Sequence, residues 1–168
     1  MNDTVSRLVM AAVLGLIFVA SARADDPEEM LAAATALNQR FVAAMNAGDV
    51  DAVMATYWNS PELVTFWPDA MIARGWGATK EGVAQTFKNM PGARLELTES
   101  HQMIAGDTVI GWGLWRMSVP QADGRSATME GRYTDVKAKR DGQWVYILDN
   151  ASVPLPPPGE PHGEPLHK

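Results

Sequence analysis

The stretch AKRDGQWVYILDNAS, residues 138–152, places a turn signal between two runs of alternating polar and apolar residues. Asp141-Gly142 is typical of a two-residue hairpin turn, but the sequence also fits a three-residue turn with a glycine bulge that begins one residue earlier. A one-residue difference in register moves every side chain to the other face of the strand. The turn therefore decides whether Asp149 or Asn150 shares a face with Arg132.

Burial of large side chains favours the three-residue turn. In that register Trp144, Tyr146 and Leu148 lie on the concave face of a curved sheet, and each contributes about 1.5–3 kcal/mol when it is buried. The charged residues Asp135 and Lys137 are then expected on the outside. We therefore predict the bulged register.

This register also predicts a polar cluster on an otherwise apolar concave face. It consists of Arg132, Thr134 and Asn150, with Asp149 as the alternative partner of the arginine. A buried arginine needs an acid, so one interpretation is a structural ion pair, for example with Glu130. The other is that the planar guanidinium holds an anionic or carbonyl-bearing ligand through two hydrogen bonds. Both interpretations stay open here.

Away from this stretch, helical periodicity comes first and strand periodicity follows. Apolar spacing and capping signals predict three helices, at about 26–48, 49–61 and 79–90. Period-two alternation predicts four long strands, at about 93–104, 108–119, 126–139 and 143–152. This segregation indicates an α+β fold in which three N-terminal helices pack on the concave face of a cone-shaped, curved antiparallel sheet.

The two ends of the chain differ from its middle. Residues 1–24 have a polar start, 13 apolar residues from Leu8 to Ala20, and small residues before Asp25, which predicts a cleaved signal peptide and a periplasmic or secreted protein. We expect one domain at 25–153, followed by a disordered proline-rich tail at 154–168. The chain has no cysteine, so export would not add disulfides.

Composition excludes several classes of function. Twenty acidic and 14 basic residues give a formal net charge of −6, which argues against nucleic acid and anionic membrane surfaces as partners. With one histidine in the predicted domain, His101, and no cysteine, the pattern predicts neither a metal site nor a cofactor. Ser100 precedes that histidine on a strand, so the two side chains point to opposite faces and cannot form a dyad.

Three stretches resemble a known family. They are NAGDVDAVMATYW (46–58), GWGATKEGVAQTF (75–87) and GRYTDVKAKRDGQWVYILDNASVP (131–154). Together they resemble the SnoaL-like and ketosteroid-isomerase-like proteins of the nuclear transport factor 2-like superfamily. The resemblance implies a cone-shaped α+β fold, but that fold is used by isomerases, cyclases, dehydratases and pure assembly domains.

The sequence departs from this family at its acid and base residues. Trp67-Pro68 stands where ketosteroid isomerases place a catalytic Asp-Pro, and the first helix lacks the tyrosine of their oxyanion hole. Leu148 and Asn150 stand where many relatives have a pair of histidines. The resemblance therefore supplies no recognisable acid–base pair.

Aromatic residues predict a pocket at the wide end of the cone. Trp67 and Trp76 flank the segment expected at its rim, and Tyr57 is expected to point inward from the second helix. With the polar cluster they form the predicted binding site. We therefore expect an exported domain that binds a small apolar or carboxylate- or carbonyl-bearing molecule, with cofactor-free isomerase, cyclase or hydrolase chemistry left open.

The alternative function is a non-catalytic, dimeric assembly or accessory domain. The strand predicted at 108–119 is apolar on both faces, and the bulged register places Val145 and Ile147 on the outer face. Something must cover such a face, so we expect a homodimer through the outside of the sheet.

Overall fold

The computed structural model describes residues 26–68 and 70–154. Its helices are α1 (Pro27–Ala47), α2 (Val50–Met54) and α3 (Trp76–Asn89). Its strands are β1 (Val64–Trp67), β2 (Ala70–Arg74), β3 (Arg94–Ala105), β4 (Thr108–Pro120), β5 (Ser126–Arg140) and β6 (Gln143–Ser152). The predicted signal peptide lies outside the described residues, as does the predicted tail beyond Pro154.

The first two helices begin where their capping residues predict. The carboxylate of Asp26 accepts a hydrogen bond from the backbone N–H of Glu28 at 2.9 Å, and Gly48 ends α1 in the left-handed conformation at φ 67°. Asp49 caps α2 by accepting from the N–H of Ala52 at 2.9 Å. The third helix starts three residues earlier than predicted, because no side chain caps it and its start is marked only by Gly75.

The strands form one curved, unclosed sheet in the order β2-β1-β6-β5-β4-β3. The four long strands and the α+β class are confirmed. All neighbouring strands are antiparallel except β1 and β6, which pair in parallel. The short strand β2 escaped prediction because five residues next to a proline turn show no clear alternation. The helices pack on the concave face.

The turn between β5 and β6 has two residues, so the predicted three-residue turn is wrong. Arg140 pairs with Gln143, which leaves Asp141 and Gly142 as the loop. Both loop residues have positive φ, 51° and 79°. This is the requirement of a type I′ turn, whose twist matches that of the flanking strands.

A bulge farther along β6 then shifts the register. Lys137 faces Tyr146 but Val136 faces Leu148, so Ile147 is the additional residue. Beyond the bulge, Asp149 lies opposite Asp135.

The bulge also places Asn150 opposite Thr134, on the face that carries Arg132. This face is the outer one, because Arg132 and Thr134 are exposed. The prediction that these three residues face the concave side is therefore wrong. The sheet instead turns Asp135 and Lys137 inward, where they are 2% and 0% exposed.

Candidate functional site

A cavity of about 390 Å³ lies between the helices and the concave face of the sheet. Most of its wall is apolar, and its large members include Phe41, Met45, Trp67, Trp115, Met117 and Met129. The polar groups on the wall include Asn38, Tyr133, Asp135, Tyr146 and Asp149. An apolar cavity with a few convergent polar groups has the usual form of a small-molecule site.

Asp149 is the ionisable side chain that is best positioned to exchange a proton with a ligand in the cavity. It lies on β6, between Thr65 of β1 and Asp135 of β5. The hydroxyl of Tyr57 donates to its Oδ2 at 2.6 Å, and the backbone N–H of Asn150 also bonds to the carboxyl group. These two donors leave acceptor positions on the carboxylate that can face a ligand.

Burial raises the pKa of Asp149 from 3.8 to about 6. The hydrogen bond from Tyr57 opposes this shift, because it stabilises the charged carboxylate, while the negative charge of Asp135 adds to it. Burial also raises the pKa of Tyr57 well above 10, so its phenol remains a donor at every physiological pH. Near pH 6, Asp149 can therefore either release or take up a proton.

The second carboxyl group of the cavity is ion-paired. Lys137 Nζ lies 2.5 Å from Asp135 Oδ1, and the two side chains are 0% and 3% exposed. They share a face because they are two residues apart on β5. Burial raises the pKa of Asp135, and Lys137 opposes that shift.

A glycine makes room for this ion pair. Gly111 of β4 lies opposite Asp135, and a Cβ atom there would stand 2.5 Å from Asp135 Oδ1 and 2.7 Å from Lys137 Nζ. The backbone N–H of Gly111 also bonds to the Asp135 carboxylate. An alanine at this position would push the pair apart.

The remaining phenols at the cavity donate elsewhere. Tyr146 donates to Asn38 Oδ1 at 2.7 Å, and Tyr133 donates to Ser100 Oγ at 2.8 Å. Asn38 Nδ2 donates to the same serine at 3.4 Å. Among the described residues no buried side-chain polar atom lacks a hydrogen-bond partner. The hydroxyl groups of Tyr133 and Tyr146 are therefore occupied by hydrogen bonds within the protein. The carboxylate of Asp149, in contrast, has acceptor positions left for a ligand.

The structure brings together three of the seven residues predicted as the site. Asp149 and Trp67 line the cavity, and Tyr57 reaches it through its hydrogen bond to Asp149. The indole of Trp67 donates to Thr65 Oγ1 at 3.1 Å, which fixes the ring. Trp76 is not among the described lining residues, since it packs on the core and donates to the carbonyl of Met54 at 3.3 Å.

The other three predicted residues belong to the outer face. Arg132 Nε donates to Ser152 Oγ at 3.3 Å, and the arginine borders a shallow depression with Glu99, Trp112 and Leu114. Trp112 and Leu114 are 39% and 46% exposed. Nearby Met103 is 50% exposed. An apolar outer surface is thus present, as the alternation in β4 predicted.

Val145 and Ile147 contribute little to that surface. Val145 is 7% exposed, and Ile147 is the half-buried bulge residue.

Sequence reasoning missed Asp135 and Lys137. Charged residues were expected on the outside, because an unpaired buried charge is prohibitively costly. The signal available in the sequence was a pair of opposite charges two residues apart on β5, together with the glycines of the neighbouring strand β4. No group of three or more potential metal ligands occurs in the described part of the chain, and no described helix is long and apolar enough to cross a membrane.

Solved structures share this fold. A nuclear transport factor 2-like superfamily protein from Salmonella enterica is 20% identical, with a TM-score of 0.72 over 82% of this chain and 100% of its own. A candidate dehydratase of the same superfamily from Streptomyces avermitilis is 18% identical, with a TM-score of 0.70 over 77% and 100%. A candidate calcium/calmodulin-dependent protein kinase II association domain from Xanthomonas campestris is 20% identical, with a TM-score of 0.62 over 71% and 84%.

At these identities the structural likeness shows the fold alone. No curated protein is similar enough to count as a match. A family model described as the SnoaL-like domain matches residues 34–156, which is most of the chain and includes all of the cavity-lining residues named above. The protein therefore belongs to the SnoaL-like family.

Proposed function

We propose that the protein binds a small, neutral, largely apolar molecule in the concave cavity and catalyses proton transfer on it through Asp149. The observation that supports this most is a half-buried carboxyl group with a pKa of about 6 at the wall of an apolar cavity. A general acid or base works best when its pKa lies near the working pH. Perturbed carboxyl groups in clefts are typical of active sites.

The charge of the cavity argues for a neutral substrate. Lys137 neutralises Asp135 from behind the cavity wall, and none of the described residues that line the cavity is cationic. An anionic ligand would meet the carboxylate of Asp149 in a poorly solvated space, which is unfavourable. The expectation of a carboxylate ligand rested on Arg132, which lies on the outer face.

The proposed step moves one proton. The carboxylate of Asp149 accepts a proton from a carbon beside a carbonyl group of the ligand, and the resulting carboxylic acid returns it to the same or another position. Tyr57 holds one carboxylate oxygen throughout, so the other oxygen faces the ligand. Isomerisation and dehydration both begin with such an abstraction, and dehydratase is the activity ascribed to the Streptomyces avermitilis relative.

Solvent deuterium exchange tests this proposal. A thermal-shift screen of ketones, alcohols and carboxylates on matched ring skeletons first identifies binders, and we expect stabilisation by the neutral members. NMR then follows deuterium incorporation next to the carbonyl of a binder in D₂O. We expect exchange with the wild type and with the control Asp123→Asn, but not with Asp149→Asn. Equal exchange with Asp149→Asn, or binding of carboxylates alone, would overturn the proposal.

The outer face supports a second candidate, a dimeric assembly domain without catalysis. Its basis is the exposed apolar surface of Met103, Trp112 and Leu114. One structural relative is described as an association domain. Light scattering at micromolar concentration should give twice the monomer mass, and Leu114→Glu should restore the monomer. A monomeric wild type would exclude this candidate.

Export is a further part of the proposed function. The signal-like residues 1–24 favour a mature protein that begins at Asp25, one residue before the cap of α1. Mass analysis of protein from the cell envelope should find this N-terminus. Retention of Met1 would rule it out.

A further inference from the structure

We propose that Lys137 and Asp135 act as a positioning pair that decides whether the neighbouring carboxyl group of Asp149 holds a proton. The inference rests on the proposed function of Asp149 and adds a role for two residues that do not touch the reacting atoms. The sequence predicts both residues on the outside of the sheet, whereas the structure buries both.

The backbone fixes the three groups relative to one another. Asp135 and Asp149 are directly opposite on β5 and β6 because of the bulge at Ile147, and opposed side chains on adjacent strands have Cβ atoms about 4.5–5.5 Å apart. Lys137 lies next to Asp135 on the same strand face, with its Nζ 2.5 Å from Oδ1. Without the bulge, Leu148 instead of Asp149 would face Asp135.

Two further contacts hold the lysine in place. Its Nζ lies 5.3 Å from the ring centroid of Tyr146, at a distance that favours a cation–π interaction. Gly111 leaves space for the pair and donates its backbone N–H to Asp135. The lysine therefore has one carboxylate partner, and Asp149 is left with the neutral donor Tyr57.

The pair is the charged group that Asp149 faces. The other titratable groups that the described residues place around it are phenols: Tyr57 after α2, Tyr133 on β5 and Tyr146 on β6. Burial raises the pKa of all three, so they remain neutral through the physiological range. Strand β1 contributes Thr65 and Trp67, which do not titrate, and Arg40 of α1 acts on Tyr146 from the surface.

Charge balance then explains the division of roles. With Lys137 present, Asp135 remains ionised and the pair presents almost no net charge, so Asp149 responds mainly to burial. Without Lys137, two opposed carboxyl groups would share one proton, as like charges in one site do. With Lys137 but without Asp135, an unbalanced cation would stabilise the carboxylate of Asp149 and so make it a weaker base.

The test is an NMR titration of protein labelled with ¹³C at the aspartate carboxyl carbons, without any ligand. Asp149→Asn assigns the Asp149 signal. Asp135→Asn removes a negative charge and leaves the lysine, so we expect the midpoint of Asp149 to fall by about one pH unit or more. The double variant Asp135→Asn, Lys137→Met removes both charges, and we expect the midpoint to return towards the wild-type value.

The double variant is the matched control for charge. Lys137→Met is the second single variant: the two opposed carboxyl groups would then share a proton, so the midpoint of Asp149 should rise, and this keeps the experiment decisive if Asp135→Asn fails to fold. A midpoint that stays at the wild-type value in folded Asp135→Asn would overturn the proposal and leave the pair a purely structural one. Failure of the proposed function is distinguishable, because it appears as undiminished deuterium exchange with Asp149→Asn and does not affect this ligand-free titration.

Discussion

The two faces of the sheet each carry an ion pair that involves β5, and the two pairs differ in burial. Lys137 and Asp135 are 2.5 Å apart and almost completely buried on the concave face. Arg116 and Glu130 are 2.8 Å apart on the outer face, with side chains 46% and 64% exposed. Water screens the outer pair, whereas the inner pair lies in a medium of low polarity. Burial, more than distance, therefore decides how strongly the charges of an ion pair interact in this protein.

The largest expected effect comes from breaking the inner pair. Lys137→Met should lower the free energy of unfolding by about 3–5 kcal/mol, because it leaves Asp135 as a buried carboxyl group without its partner. Chemical denaturation at pH 7.5 measures this. The double variant Asp135→Asn, Lys137→Met should recover most of the loss, and a single variant as stable as the wild type would show that the pair is solvated.

Removing the charge of Asp149 should stabilise the protein. Its pKa is raised on folding, so its contribution to stability is complete below pH 4 and is lost as the pH rises to about 6. A shift of this size corresponds to at most about 3 kcal/mol. Asp149→Asn should therefore be more stable than the wild type at pH 7.5 by up to about this amount. Denaturation between pH 4 and 8 should show the wild type losing stability while the variant does not.

A smaller loss is expected when the space for the inner pair is filled. Gly111→Ala places a methyl group against Asp135 and Lys137, and overpacking of this kind costs about 1–3 kcal/mol. Gly77→Ala is the matched control, because its Cβ meets nothing within 4 Å and lies in α3. The control should be neutral or slightly stabilising. Equal thermal midpoints for both variants would contradict the tight fit at Gly111.

The smallest effect is expected on the outer face. Arg116→Met breaks the exposed pair with Glu130, and we expect the thermal midpoint to stay within the error of the measurement at 0.15 M salt. A loss comparable to that of Lys137→Met would mean that this face is covered in solution, as the dimeric alternative requires.

The sequence was sufficient to predict the fold because capping residues and the change of period mark the elements directly. Asp26, Gly48 and Asp49 begin or end helices as predicted. It was insufficient to predict which side chains of β5 and β6 face inward, because a turn and a bulge both set the register there. The turn obeys the two-residue preference of Asp141-Gly142, and the bulge at Ile147 then shifts the pairing by one residue, which the turn alone could not predict.

The same competition explains the candidate site. Hydrophobicity predicts large apolar side chains on one face of the strand and charged side chains on the other. Lys137 is nevertheless buried, because Asp135 provides an opposite charge and Gly111 leaves space for it. Such compensation depends on a neighbouring strand, so it cannot be seen in β5 alone. The two-residue turn predicts Asp149 on the face of Arg132, but the bulge at Ile147 places it on the opposite, concave face.

Titration of Asp149 in the ¹³C-labelled wild type is the most direct test of its role as the proton-transfer group. Asp123, in the turn between β4 and β5, serves as a reference in the same spectrum, because its hydrogen bond from Arg125 lowers its pKa. We predict that Asp149 titrates near pH 6 and Asp123 below pH 3.8. A midpoint for Asp149 at or below pH 4 would show a solvated carboxylate and contradict its role as the proton-transfer group.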